Sequence, residues 1–152
     1  MAQVAIVFGG AGFIGTHLLQ KLSDSGNYAK LISCDISAPR WEVDGVDYRH
    51  IDICQPIDIK LSEPVDEIYN LAAVHTTPGH EDWEYYWANV LGATHVCDFA
   101  RKAGCETIVF TSSIAVYGPS EDPLDENSPS RSSAPNRYIT NGNAKPPSNA
   151  SW

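Results

Sequence analysis

A chain of 152 residues, 43% of them hydrophobic, is long enough for one domain with a real core and has the composition of a folded soluble protein. Ten basic against nineteen acidic residues leave a net charge of -9. That balance argues against a nucleic-acid backbone or an anionic membrane as partner.

The run Val4-Ala5-Ile6-Val7-Phe8 reads as a strand buried on both faces. It breaks into a glycine-rich turn and continues as a helix whose Leu18, Leu19 and Leu22 share one face. Each glycine has its own task. Gly9 lets the chain turn sharply, Gly12 clears room for backbone N–H groups to approach a pyrophosphate, and Gly15 lets the helix pack against the sheet. The positive end of the helix then faces the phosphates. A second apolar run, LISCD, ends in Asp35, about twenty residues after the last glycine, where an acid would take the adenosine ribose hydroxyls. A carboxylate there repels a ribose phosphate, so NAD is expected rather than NADP.

Ser23 to Lys30, with Ser25-Gly26-Asn27, reads as a helix stop and loop, and LISCDI as the second strand. Ser37 to Gly45 reads as a surface loop, in which Trp41 either stacks on the adenine or anchors the loop. VDYRHIDI is the third strand, ending at Asp52 and Ile53. An Asp at that strand end either accepts a bond from the adenine amino group or caps the turn that follows. VDEIYNLAAV is the fourth strand, and Ala72 and Ala73 let the backbone pass close to a cofactor.

His75 and His80 lack the spacing of a metal pair, and Glu81 and Asp82 suit a solvated helix start. Glu84 to Lys102 is helical and closed by Gly104. Tyr86, Val90, Ala93 and Val96 or Cys97 recur at helical spacing, so this aromatic cluster is expected in the core. Asn89 lies beside that face and, if buried, needs partners from neighbouring backbone. TIVFTSSIAVYG is the fifth strand. Its hydroxyls at Thr111, Ser112 and Ser113 are placed for chemistry or, alternatively, for turn formation. Successive βα units predict an α/β fold, a Rossmann-like doubly wound parallel sheet with right-handed crossovers.

Cys34, Cys54, Cys97 and Cys105 form no CxxC pair and no zinc spacing with histidine, so no metal is expected and a reducing compartment is. With no signal-peptide pattern and no apolar run long enough for a bilayer, a cytoplasmic protein is the expectation.

Taken together, GGAGFIG at Gly9 to Gly15, Asp35, DI at 52–53, NLAA at 70–73, NVLGAT at 89–94 and FTSSIAVYG at 110–118 resemble the extended short-chain dehydrogenase/reductases. The likeness is greatest to the NAD-dependent epimerase/dehydratases acting on nucleotide sugars. The resemblance implies that Gly9, Gly12, Phe13, Ile14 and Gly15 hold the pyrophosphate, Asp35 the ribose, and Asp52 and Ile53 the adenine. It places Leu71, Ala72 and Ala73 along the cofactor's inner side, Asn89 as a brace for active-site backbone, Thr111 against the nicotinamide and Ser113 as the catalytic hydroxyl. Tyr117 would be structural. Members of the group often dimerise, so a homodimer is one assembly the resemblance allows.

The group also uses a Tyr with a Lys four residues on, whose ammonium lowers the phenol's pKa. The candidates here are Tyr138 and Lys145, but Gly142 follows Tyr138 at that spacing and Asn141 precedes Lys145. Pro146 and Pro147 would stop the helix such a pair needs. The expectation is therefore an NAD-binding domain over residues 1–130, the N-terminal part of the family's length, without its substrate domain. Residues 131–152 would be an irregular, disordered or out-of-frame tail. Little or no activity is expected from the chain alone. The alternatives are a non-catalytic dinucleotide-binding module or a related NAD(P)-dependent alcohol dehydrogenase/reductase.

Overall fold

Strand β1 (Gln3–Phe8) is buried from Val4 onward because neighbours flank it on both edges and both faces. The computed structural model describes residues 3–75, 79–117 and 123–128. In it β1 is the middle strand of a parallel sheet of order β3-β2-β1-β4-β5, with β2 at Tyr28–Asp35, β3 at Val46–His50, β4 at Glu67–Asn70 and β5 at Thr107–Phe110. Alternate side chains of β1 feed two cores. Ile6 and Phe8 join Ile32, Ile68, Val96 and Phe99 on one side. Ala5 and Val7 meet Leu19, Leu22 and Leu31 on the other. Helix α1 (Phe13–Ser25) covers the second face and a helical stretch from Asp82 to Ala103 the first. The expected Rossmann-like doubly wound architecture is the observed one. Strand order reverses between β1 and β4, so a crevice opens at their carboxyl ends.

Several boundaries differ from those read in the sequence. Strand β2 begins at Tyr28, inside the stretch expected as loop. Tyr28 pairs with Gln3 and its hydroxyl donates to Glu67 Oε2 at 2.7 Å, so distant partners hold a locally polar segment extended. Strand β3 stops at His50, short of Ile53, because Asp52 turns the chain. Its Oδ1 accepts the Cys54 N–H at 2.8 Å and its carbonyl the Gln55 N–H at 3.1 Å. Strand β5 ends at Phe110, and Ile114–Tyr117 forms a 3-10 turn rather than continuing the strand.

The helix over residues 82–103 corrects a further expectation. It opens at α2 (Asp82–Tyr86), where Glu81 and Glu84 form a reciprocal capping box. It then winds as a π-helical turn over Trp87–Leu91 and continues as α3 (Gly92–Ala103), closed by Gly104 in the left-handed region at φ 68. The π turn bonds i to i+5, so the apolar face slips relative to a 3.6-residue count. Ala88, Gly92, Val96, Phe99 and Ala100 are buried. Tyr86 and Val90, expected in the core, are exposed, as are Trp83 by 52% and Trp87 by 45%.

The chain divides after Phe110 into two compact units, Met1–Phe110 and Thr111–Trp152. Of the second, the described parts are the turn at 114–117 and a turn in which Asp125 Oδ1 accepts the Asn127 N–H at 2.9 Å. Tyr138, Lys145 and the tail over 131–152 lie outside the described residues.

Candidate functional site

The turn after β1 is built by contact between backbones. Gly9 sits at φ 81, its N–H donating to the Cys34 carbonyl at 2.8 Å and its carbonyl accepting the Gly12 N–H at 3.2 Å. A Cβ on Gly9 would lie 2.7 Å from Ala72 N and 2.8 Å from the Leu71 carbonyl carbon. The close approach at Ala72 is thus made by the glycine turn. A Cβ on Gly15 would collide with the Gly9 carbonyl oxygen and reach Gly10 Cα at 2.7 Å. Gly15 therefore seats the helix start on the turn itself, where the sequence suggested contact with the sheet. Thr16 was not anticipated. Its buried hydroxyl reaches the Gly12 carbonyl at 2.9 Å and the Gly10 carbonyl at 3.2 Å, cinching the turn. Its place directly after the third glycine is the only sequence signal for that role.

Helix α1 begins with Gly12 as an extended N-cap, with no side-chain cap and no acid in its first turn. First-turn N–H groups have no intrahelical acceptor, and the helix dipole adds positive potential there. A Cβ on Gly12 would meet only the Gly9 carbonyl oxygen, at 3.3 Å, so the space above it is open. Phe13 and Ile14 project outward, exposed, leaving their backbone toward that space. These features fit a pyrophosphate.

Asp35, at the end of β2, is tied to the same turn. Its Oδ2 accepts the Ala11 N–H at 3.0 Å and its Oδ1 the Ser37 N–H at 2.9 Å. Each carboxylate oxygen keeps a lone pair for a ribose hydroxyl. The Ile51 N–H donates to the Asp35 carbonyl at 3.0 Å, which brings Asp52 to the same edge. Of the two readings of Asp52, turn capping is present in the structure, the Cys54 thiol also bonds the carboxylate, and lone pairs remain on it for a ligand. Ile53 buries its side chain in the core, so only its backbone can face a cofactor. Trp41 is exposed and meets His17 edge-on, ring centroids 5.7 Å apart.

Beyond β4, the Leu71 N–H donates to the Phe8 carbonyl at 2.9 Å, and Ala72 and Ala73 follow at the crevice. Asn89, in the π turn, grips one residue with both ends of its amide. Its Oδ1 accepts the Val74 N–H and its Nδ2 donates to the Val74 carbonyl, each at 2.9 Å. Gly9, Gly12, Phe13, Ile14, Gly15, Asp35, Asp52, Ile53, Leu71, Ala72, Ala73 and Asn89 thus gather at the carboxyl ends of β1 to β4. Thr111 and Ser113 belong to the second unit, where the Ser113 carbonyl accepts the Val116 N–H at 3.2 Å. Among the described residues no cluster of His, Cys, Asp and Glu is arranged to hold a metal, and no helix is long and apolar enough to cross a membrane.

Geometry of this kind defines a class: a doubly wound α/β domain that holds a dinucleotide across the crevice between β1 and β4. Residues 5–138 match the NAD dependent epimerase/dehydratase family, and the chain belongs to that family. A UDP-glucose 4-epimerase of Azospirillum brasilense is 32% identical over 136 residues, covering 82% of this chain and 38% of that protein. A crystal structure of UDP-galactose 4-epimerase superposes with a TM-score of 0.73 at 30% identity, over 85% of this chain and 45% of that one. MoeE5 in complex with UDP-glucose and NAD superposes with a TM-score of 0.66 at 27% identity, over 84% and 42%. The chain therefore spans less than half the length of these relatives. NAD is the cofactor of the family and the dinucleotide this cradle suits.

Proposed function

We propose that this chain is the cofactor-binding part of an enzyme that epimerises or dehydrates a nucleotide sugar by transient hydride transfer to bound NAD. The observation that carries the reading is the cradle: an uncapped helix start joined to Asp35 through the Ala11 N–H, in a chain of this family. Gly9, Gly12, Phe13, Ile14 and Gly15 hold the pyrophosphate, Asp35 the ribose, and Asp52 and the Ile53 backbone the adenine. Leu71, Ala72 and Ala73 line the inner side, Asn89 fixes the backbone at Val74, and Thr111 lies against the nicotinamide. When bound, NAD supplies the hydride acceptor. Ser113 hydrogen-bonds the reacting sugar hydroxyl, and Tyr138 and Lys145 are the candidates for the proton-abstracting phenol and its ammonium.

Neither Tyr138 nor Lys145 has its partner at the family's spacing, so weak or no turnover is expected from residues 1–152 alone. That observation favours a second reading, a dinucleotide-binding module without catalysis. In this reading the NAD domain is taken as residues 1–130. The four free cysteines support a reducing, cytoplasmic setting. The exposed stripe of Trp83, Tyr86, Trp87 and Val90 supports a homodimer.

Calorimetric titration with NAD tests the reading. Saturable binding is expected, weakened about tenfold or more in Asp35→Ala with secondary structure intact by circular dichroism. Absence of binding by the folded wild-type chain overturns it. Interconversion of UDP-glucose and UDP-galactose then separates enzyme from binding module.

A further inference from the structure

The segment that carries Asp52 is gripped from the helix side by a residue with no part in the site so far. His95, on α3, places Nδ1 2.7 Å from the Ile53 carbonyl oxygen, in a partly buried position. A carbonyl only accepts, so this nitrogen carries the proton. The same helix face seats the Ile53 side chain. A Cβ on Gly92 would lie 2.7 Å from Ile53 Cδ1, so the missing side chain lets Ile53 rest against the helix.

The Ile53 carbonyl and the Cys54 N–H belong to one peptide unit, which is planar and stiff. The Cys54 N–H donates to Asp52 Oδ1 at 2.8 Å. A continuous line of bonds therefore runs from His95 Nδ1–H to the Ile53 carbonyl, across the peptide plane, and from the Cys54 N–H to the Asp52 carboxylate. Rotation of that plane would swing the N–H away from Oδ1 and release the carboxylate. The line also polarises each bond in the same sense.

We propose that His95 is a positioning residue for recognition of the adenine base. It locks the Ile53–Cys54 peptide, the peptide aims the Asp52 carboxylate, and that carboxylate accepts a hydrogen bond from the adenine 6-amino group. The inference rests on the reading that Asp52 faces adenine.

The test compares binding of NAD with that of nicotinamide hypoxanthine dinucleotide, which carries a 6-oxo group in place of the amino group. Calorimetry on the full chain is run for wild type, Asp52→Ala, His95→Phe and His95→Asn. Wild type should prefer NAD by about tenfold, the scale of a hydrogen bond to a charged group. Asp52→Ala and His95→Phe should both bring the ratio near one, by weakening NAD and not the hypoxanthine dinucleotide. His95→Asn, which keeps a donor, should recover part of the preference. If wild type and Asp52→Ala behave as expected but His95→Phe keeps the preference, or weakens both dinucleotides equally, His95 has no positioning role and the adenine reading survives. If wild type binds NAD without preferring it, the reading of Asp52 fails and His95 falls with it. A second measurement needs no variant. At saturation the Cys54 amide proton should shift further in NMR spectra with NAD than with the hypoxanthine dinucleotide, and equal shifts would overturn the proposal.

Discussion

Cys34 ends its side chain in the core one residue before Asp35, and burial pushes its thiol up to about 12 despite the nearby Arg49 guanidinium. The thiolate is the reactive form. Iodoacetamide at about pH 8, near the ordinary thiol range, should leave Cys34 unmodified in the native chain and reach it in urea, as read by peptide mass spectrometry. The partly buried Cys54, Cys97 and Cys105 should be labelled first. At this scale the glycines and Asp35 were legible because their chemistry depends on local spacing. Thr16 and His95 were not. Each acts on a carbonyl whose position depends on the fold, and neither belongs to a motif that marks it.

Among the elements, the strands were legible where apolar runs coincide with burial, as in Val4 to Phe8 and Leu31 to Cys34. The start of β2 was hidden because Tyr28 is held by Glu67, 39 residues away. The π turn at Trp87–Leu91 left no mark in composition, so a count at helical period carried Tyr86 and Val90 to the wrong face. Gly104, by contrast, was readable as a helix end, and its cost can be isolated. A Cβ there would meet nothing within 4 Å, while φ is +68. Gly104→Ala should therefore destabilise by the left-handed backbone term alone, about 1–2 kcal/mol, measured by urea denaturation. A much larger loss would mean that the glycine also serves packing.

For the whole molecule, several buried or bonded acids set the response to alkali. Burial raises Tyr28 and Tyr69 above 10.0, and Tyr69 is raised further by its bonds with Tyr28 and Glu67. Cys34 is raised from 9.0, and burial raises Cys54 and Cys105 in the same sense. In this range the folded chain holds more protons than the unfolded one, so stability falls as pH rises. The contribution is complete below the unfolded values and is lost progressively from 9.0 for the thiols and from 10.0 for the tyrosines. Urea midpoints measured across this range should decline in that order. Cys34→Ala should flatten the first part and Tyr69→Phe the second. A midpoint that stays constant through the tyrosine range would show that these phenols titrate alike in both states.

The glycine turn also sets which double mutants can survive. The atoms that would obstruct a side chain at Gly9 are main-chain atoms of Leu71 and Ala72, and at Gly15 those of Gly9 and Gly10. Every amino acid carries those atoms, so no second-site substitution can suppress a change at either position. Gly10 is different. Its obstacles are side-chain atoms, the Ser33 hydroxyl first, then Ser33 Cβ at 3.1 Å and Leu19 Cδ1 at 3.2 Å. The Ser33 hydroxyl is buried and finds no hydrogen-bond partner among the described residues, so deleting it forfeits no bond. In a genetic screen, Gly10→Ala should be rescued in part by Ser33→Ala, which removes the hydroxyl but keeps the Cβ at 3.1 Å, with partial recovery of the melting temperature, while Gly9→Ala and Gly15→Ala yield no suppressors.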